Sequence, residues 1–267
     1  ADFQNTLDNQ NAWRFEYTPV DNRMDIAEHL SPTNIRRFIR RGKFLQIRFE
    51  SGHTFSSGEF FLQRFTDYPF TGWQYVDFDG YEIDREKPSR IDRIGLDHSL
   101  FCWVWNENSA NSWLYCDDRS GEVADFVEFR TDRGAPEISL IHVKAAHGGN
   151  NRRFSVSAYE VVTAQAIKNL RHFEIENLIN QFAEDSDEHF RYRIKHNGLS
   201  PTNDFEAGRF RDEFVRALRA IGTNFKKEVV IIQPHNRQSS IVRGNGNHNA
   251  RCQLHTLLLS AETACKS

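Results

Sequence analysis

Three polar residues interrupt two apolar stretches of the chain: Asp125 in VADFVEF, and His142 and Lys144 in ISLIHVK. The stretches flank the turn-forming run TDRGAP and read as the two arms of a β-hairpin. Strand side chains alternate faces, so Asp125 shares a face with Val123 and Val127, while His142 and Lys144 share one with Ile138 and Leu140. If Arg130 closes the hairpin against Glu137, Asp125 lies across from His142 and Lys144 is its diagonal neighbour. A slip of one residue would put the acid and the His/Lys pair on opposite faces. A carboxylate and an ammonium on one sheet face suit phosphodiester chemistry. The carboxylate holds a hard divalent cation that activates water, and the ammonium orients that water or neutralises phosphate oxygens. The plain alternatives are a buried Asp125–Lys144 ion pair and a hydrogen-bonded core histidine at His142.

Glu122 is a plausible second carboxylate, although strict alternation puts it on the other face unless a bulge intervenes. Glu160 is a third, but it also completes an S-x-x-E capping box with Ser157. Asp117 and Asp118 read first as turn acids that satisfy backbone donors, with a supporting metal role as the weaker reading. Gln165, Lys168 and His172 form a polar stripe on the helix after the hairpin, facing either solvent or substrate. Arg152 and Arg153, just beyond the Lys144 strand, could contact a nucleic-acid backbone, as could Arg36 and Arg40 in RRFIRRGK. Arginine clusters in a chain of negative net charge are more commonly solvated surface.

Longer runs carry a resemblance. YCDDRSGEVADFVEF, then ISLIHVKAA, then YEVVTAQAIKNL resemble the PD-(D/E)xK restriction-endonuclease-like nuclease domain. Within it they look like the C-terminal nuclease region of prokaryotic DEAD/DEAH-helicase-type defence proteins. The likeness covers about residues 100 to 175, with a weaker echo in VVIIQP and the terminal helix. It implies metal-dependent hydrolysis of DNA phosphodiester bonds in phage defence or restriction, with Mg²⁺ or Mn²⁺ as cofactor. It also implies a helicase module, in the same polypeptide or as a partner. Asp125 falls at the motif's metal-binding aspartate and Lys144 at its lysine. His142 stands where the motif has Glu, Asp or Gln. A neutral imidazole suits Mn²⁺ better than Mg²⁺. His142 then ligates a softer metal, carries a proton, or marks an inactive nuclease fold that only binds nucleic acid or docks a partner. Gln165 matches a helix glutamine that some related nucleases place near the site.

These residues need elements to hold them. SPTNIRRFIRRGKF reads as a short helix capped by Ser31 and ended by Gly42. KFLQIRF reads as a strand, and residues 43–90 as strand-rich. SLFCWVW and SWLYC read as two strands joined by a polar loop. After the hairpin come a helix over SAYEVVTAQAIKNLRHF, a second over residues 175–183 and a third over residues 206–221. EVVIIQP is a buried strand, HNRQSSIVRGNGNHNAR a long polar loop, and residues 253–265 a terminal helix. The order predicts an α/β fold, a mixed sheet with flanking helices; the resemblance implies that residues 100–267 form a restriction-endonuclease-like core, preceded by a strand-rich N-terminal part over residues 1–99.

Composition narrows the function classes. The 267 residues suffice for one large domain or two small ones. A net charge of -3 removes any global basic field. The four cysteines include no CxxC pair, which excludes a zinc ribbon and argues against a disulfide framework. HGGNNRR lacks the GK[ST] end of a Walker loop, so no ATP-driven motor is read here, and no serine nucleophile elbow is present. No apolar run approaches membrane-spanning length and no signal peptide is evident, so a cytoplasmic protein without a membrane partner is expected. The start without Met suggests a piece of a longer protein. DNA is the expected partner with RNA open beside it, and cutting both strands would suit a homodimer.

Overall fold

The computed structural model describes residues 47–48, 53–56, 59–62 and 70–266, less residues 110, 120, 133, 148–153, 223 and 244–247. Contacts divide the chain into two compact units, Ala1–Tyr68 with Ser267, and Pro69–Lys266. The first contains an antiparallel sheet of β1 (Ile47–Arg48), β2 (His53–Ser56) and β3 (Glu59–Leu62). β1 lies inside the expected KFLQIRF strand. The helix expected over residues 31–42, with Arg36 and Arg40, lies outside the described residues, as do Arg152 and Arg153.

The second unit is built on a mixed five-stranded sheet in the order β7-β4-β5-β6-β8. β4 (Trp113–Cys116), β5 (Phe126–Arg130) and β6 (Glu137–Val143) form an antiparallel meander. β7 (Ile194–Lys195) pairs antiparallel with β4, and β8 (Lys226–Ile232) pairs parallel with β6. The expected hairpin register is present, with Arg130 opposite Glu137 and Phe126 opposite Ile141. The Arg130 guanidinium also ion-pairs with the Glu137 carboxylate, which favours that register over a slipped one.

Seven helices among the described residues flank this sheet: α1 (Leu100–Glu107), α2 (Ser157–Asn169), α3 (Ile175–Glu184), α4 (Asp187–Phe190), α5 (Asp204–Ala220), α6 (Gln238–Arg243) and α7 (His248–Lys266). One sheet face, carrying Tyr115, Val127, Phe129, Ile138 and Leu140, packs on α3, α4 and α5. α5 presents Ala207, Phe210, Phe214 and Leu218 to it at helical spacing. Tyr115 sits among Phe182, Phe190 and Phe214, with ring centroids 5.2, 4.6 and 6.4 Å away. The other face, with Leu114, Cys116, Phe126, Ile141 and Val143, packs on α1.

The structure corrects several expectations. SLFCWVW is helix α1, not a strand. Its aromatic run favours β locally, but Ser99 accepts from the Cys102 N–H at 3.4 Å as N-cap, and Leu100, Phe101, Val104 and Trp105 all bury on one side. Residues 70–99 contain no strand among those described, and they belong to the second unit: Arg85 O accepts from Leu100 N at 2.9 Å, and Ile83 O from Ala146 N at 2.8 Å. The two compact units meet after residue 68, and the sequence reading drew its division at about residue 99. β8 is an edge strand, half-buried at best, because only β6 pairs with it. The long polar loop holds α6, and α7 begins at His248. Ser157 and Glu160 form no capping box, since α2 starts at Ser157 itself and Ser155 Oγ accepts from Ala158 N at 3.3 Å. The four cysteines are free thiols.

Candidate metal centre

The centre forms where β4 and β5 part. Cys116 pairs with Phe126, and the Asp117 N–H still reaches Asp125 O at 3.1 Å, so the intervening residues must turn back within a tight loop. Gly121, at φ +81°, makes this turn in a backbone region that other residues adopt at a cost. Asp117 holds the loop from inside. Its fully buried carboxylate accepts from the Val123 N–H at 2.8 Å and from Arg119 Nε at 2.7 Å. Arg119 in turn donates to Asp185 at the end of α3, 2.6 Å away. Burial pushes the Asp117 carboxyl up to about 6, against the opposing pull of these donors.

With Asp117 occupied, its neighbour Asp118 turns toward Glu122 and Asp125. One carboxylate oxygen from each of the three lies within 4.8 Å of the others. Glu122 precedes β5 in the loop, so strand alternation does not govern it and no bulge is needed. Asp125 is 6% exposed, and its Oδ2 accepts from the Val143 N–H at 2.8 Å, which ties the loop to the end of β6. Burial first, then the charges of Glu122 and Glu86, push the Asp125 carboxyl up to about 7. Burial and Asp118 likewise raise Glu122. Mutual repulsion of this kind is what a bound dication relieves.

The donor set suits a hard divalent ion. Oxygens on opposite sides of Mg²⁺ stand about 4.2 Å apart, twice the usual metal–oxygen length. A spread of up to 4.8 Å is within a small side-chain rotation of that. His142 is not among the residues whose ligand atoms gather here. His142 is 2% exposed, and its Nε2 has no hydrogen-bond partner. Continuing the ladder one step past Phe126–Ile141 puts His142 level with Asp125, on the face shared by Val127 and Leu140. Burial, then the Lys168 charge, pull the imidazole down to about 4, so it is neutral at neutral pH. The plain reading of a hydrogen-bonded core histidine does not hold at Nε2.

Cations ring the acids. Lys144 does not pair with Asp125; its ammonium meets Glu86 at 2.8 Å. Lys87, beside it in sequence, sits 2.5 Å from Asp118 Oδ1. Burial disfavours the Lys87 charge, but the Asp118 hydrogen bond and charge keep its pKa above the ordinary lysine value. Lys168, exposed on α2, is close enough that its charge acts on both Glu122 and His142. Gln165 is half-buried one turn earlier on the same helix. Glu160 is exposed and stands outside the acidic cluster.

The structure thus brings Glu122 together with Asp125 and Asp118, sets Lys144 on Glu86 and Lys168 within charge range of Glu122, and leaves His142 outside the acidic cluster. Sequence reasoning underweighted Asp118 and missed Glu86 and Lys87. The run DREKPSR carries no period or motif that would single them out. No family model, no curated protein and no solved structure matches this chain.

Proposed function

We propose that the second unit is a metal-dependent nuclease domain of the PD-(D/E)xK type, hydrolysing DNA phosphodiester bonds in prokaryotic phage defence or restriction. The observation that carries this reading is the convergence of Asp118, Glu122 and Asp125 at the start of β5, with Lys144 just past the end of the adjacent β6. Those are the strand positions at which the motif's acid and lysine are expected from the sequence.

Asp118, Glu122 and Asp125 would hold Mg²⁺ or Mn²⁺, an all-oxygen set that suits Mg²⁺. The ion, when bound, lowers the pKa of water and offsets charge on the phosphate. The chain's own groups do the rest. Lys144 brings an ammonium to the attacking water or to the phosphate oxygens once Glu86 releases it. Lys168, exposed on α2, contacts the flanking phosphate backbone. Helicase modules, as covalent or separate partners, would deliver strands to the centre.

A specific observation favours a second reading, an inactive nuclease fold that binds nucleic acid or docks a partner. Both lysines nearest the acids are already engaged, Lys144 by Glu86 and Lys87 by Asp118. Cleavage of plasmid, single-stranded DNA and RNA, in Mg²⁺ and then Mn²⁺, separates the two. The nuclease reading expects cutting that Asp125→Ala and Lys144→Ala each reduce by at least about 100-fold, the scale of losing a charge-stabilising group. Nucleic-acid binding without cutting in either metal would favour the inactive fold.

A further inference from the structure

β8 leaves one edge of the five-stranded sheet open. Its Lys226 N–H donates to Pro136 O at 2.8 Å, and its Ile232 O accepts from the Lys144 N–H at 2.9 Å. Residues 226, 228, 230 and 232 therefore turn their backbone groups toward β6. Lys227, Val229 and Ile231 turn theirs the other way, where no backbone partner meets them among the described residues. An edge of this kind is a template for pairing with another strand.

The edge borders a groove of about 1280 Å³. Residues 228–234 all line it, as only an edge allows, because consecutive side chains point to opposite sheet faces. Residues 72–81 line it too and form a second wall. That wall is pinned at two places: Trp73 meets the Tyr159 ring edge-on at 6.0 Å, and Phe78 packs on Trp103 at 4.8 Å. Between the two anchors Tyr75 and Val76 are 44% and 49% exposed, and no backbone hydrogen bond joins residues 72–77 to β8. Room for one strand is left between an unpaired edge and an aromatic wall.

Charge states what kind of strand fits. Asp77, Asp79, Glu107, Glu128 and Glu228 line the groove against Arg130 and Arg237, so five carboxylates face two guanidiniums and leave a net charge of -3 when all are ionised. Arg130 is further committed to Glu137, outside the groove. Lys226 and Lys227, at the start of β8, do not line it: Lys226 bonds Glu137 at 2.8 Å, and the Lys227 ammonium lies over the Phe173 and Phe225 rings. Alternate side chains of an added strand fall on opposite faces, so one row can be apolar against Val230 and Ile232 and the other basic beside the acids. Exposed Tyr75 offers a basic side chain a ring face as well.

We propose that β8 is a docking edge for an extended peptide segment of a partner protein, as long as the seven residues of β8, with apolar and basic side chains in alternation. A phosphate backbone has the wrong charge for this groove. A second copy joined edge to edge would bring its own wall of residues 72–81 into the same space. The docking edge is independent of the chemistry proposed for the acidic loop.

The test is fluorescence anisotropy of a labelled, capped peptide of alternating valine and lysine titrated with the full chain, beside the same peptide with glutamate for lysine. Amide hydrogen exchange by NMR reads the edge itself. The lysine peptide is expected to bind at least about tenfold more tightly than the glutamate peptide and to slow exchange at Val229 and Ile231. Val229→Pro removes an outward N–H and no bond to β6, a change that edge strands tolerate, and should weaken binding at least about tenfold with circular dichroism unchanged. Asp77→Lys with Asp79→Lys, on the exposed wall, should reverse the preference between the two peptides whether or not the proline variant folds. No binding of the lysine peptide, or binding that leaves Val229 and Ile231 exchanging as before, overturns the proposal. So does protection of these amides that grows with chain concentration alone, which would give the edge to a second copy, or protection by a single-stranded DNA oligomer in place of the peptide.

Discussion

Asp125 is held at an electrostatic cost that its hydrogen bond from the Val143 N–H offsets only in part. Its carboxyl loses a proton near pH 4 in the unfolded chain but at about 7 in the fold, chiefly because it is buried. Between those values the folded state keeps a proton that the unfolded state has lost. Stability of the metal-free protein therefore falls as pH rises through this window, and the full penalty stands above it. Asp125→Asn keeps an acceptor for the Val143 N–H and carries no charge. It should stabilise the metal-free protein at about pH 8, on the order of 2–4 kcal/mol, and give no gain near pH 4. Urea denaturation at both pH values measures this, and an equal effect at the two would rule out the charge explanation. Asp117 plays the opposite part. Asp117→Ala strips an acceptor from the Val123 N–H and from Arg119 inside the loop. It should cost about 2–3 kcal/mol and weaken Mn²⁺ affinity as well, because the loop that orients Asp118 and Glu122 loses its clamp.

At the scale of elements, the centre depends on a strand register and a helix start. The Arg130–Glu137 pairing and the apolar alternation of β5 and β6 fix which side chains face the acids. α1 fixes residues 85 and 86, and through them the two lysine partners. Elements farther away stabilise without touching the chemistry. Asn203 caps α5 by accepting from the Glu206 N–H at 2.9 Å. Asn203→Ala should cost about 1 kcal/mol of unfolding free energy with metal affinity unchanged. Denaturant unfolding together with the Mn²⁺ titration would show the two readouts separate.

For the whole molecule, the two compact units bear differently on function. Every residue of the candidate centre lies in Pro69–Lys266, including Glu86 and Lys87, which a boundary at residue 99 would cut away. A fragment of residues 69–266 should unfold in one cooperative transition and bind Mn²⁺ as the full chain does, whereas a fragment starting at residue 100 should lose both. Calorimetry and metal titration of the two fragments decide it. No helix among the described residues is long and apolar enough to cross a membrane.

What the sequence determined by itself was local. Alternation with period two is written in consecutive residues, so the hairpin and the face of each side chain could be read from VADFVEF and ISLIHVK, while the register was a supposition, Arg130 opposite Glu137, that the ladder bears out. The helical spacing of α2, α3 and α5 was legible for the same reason. Tertiary structure decided what depends on distant partners. The aromatic run SLFCWVW became helix α1 because its buried side meets Phe126 across the sheet, with Phe101 4.8 Å away. Glu86 and Lys87 joined the centre because α1 anchors their backbone beside residues some 30 to 60 positions away in sequence. Asp118 rather than Glu160 completed the acidic cluster because Asp117 satisfies the turn's donors and leaves its neighbour free to face inward.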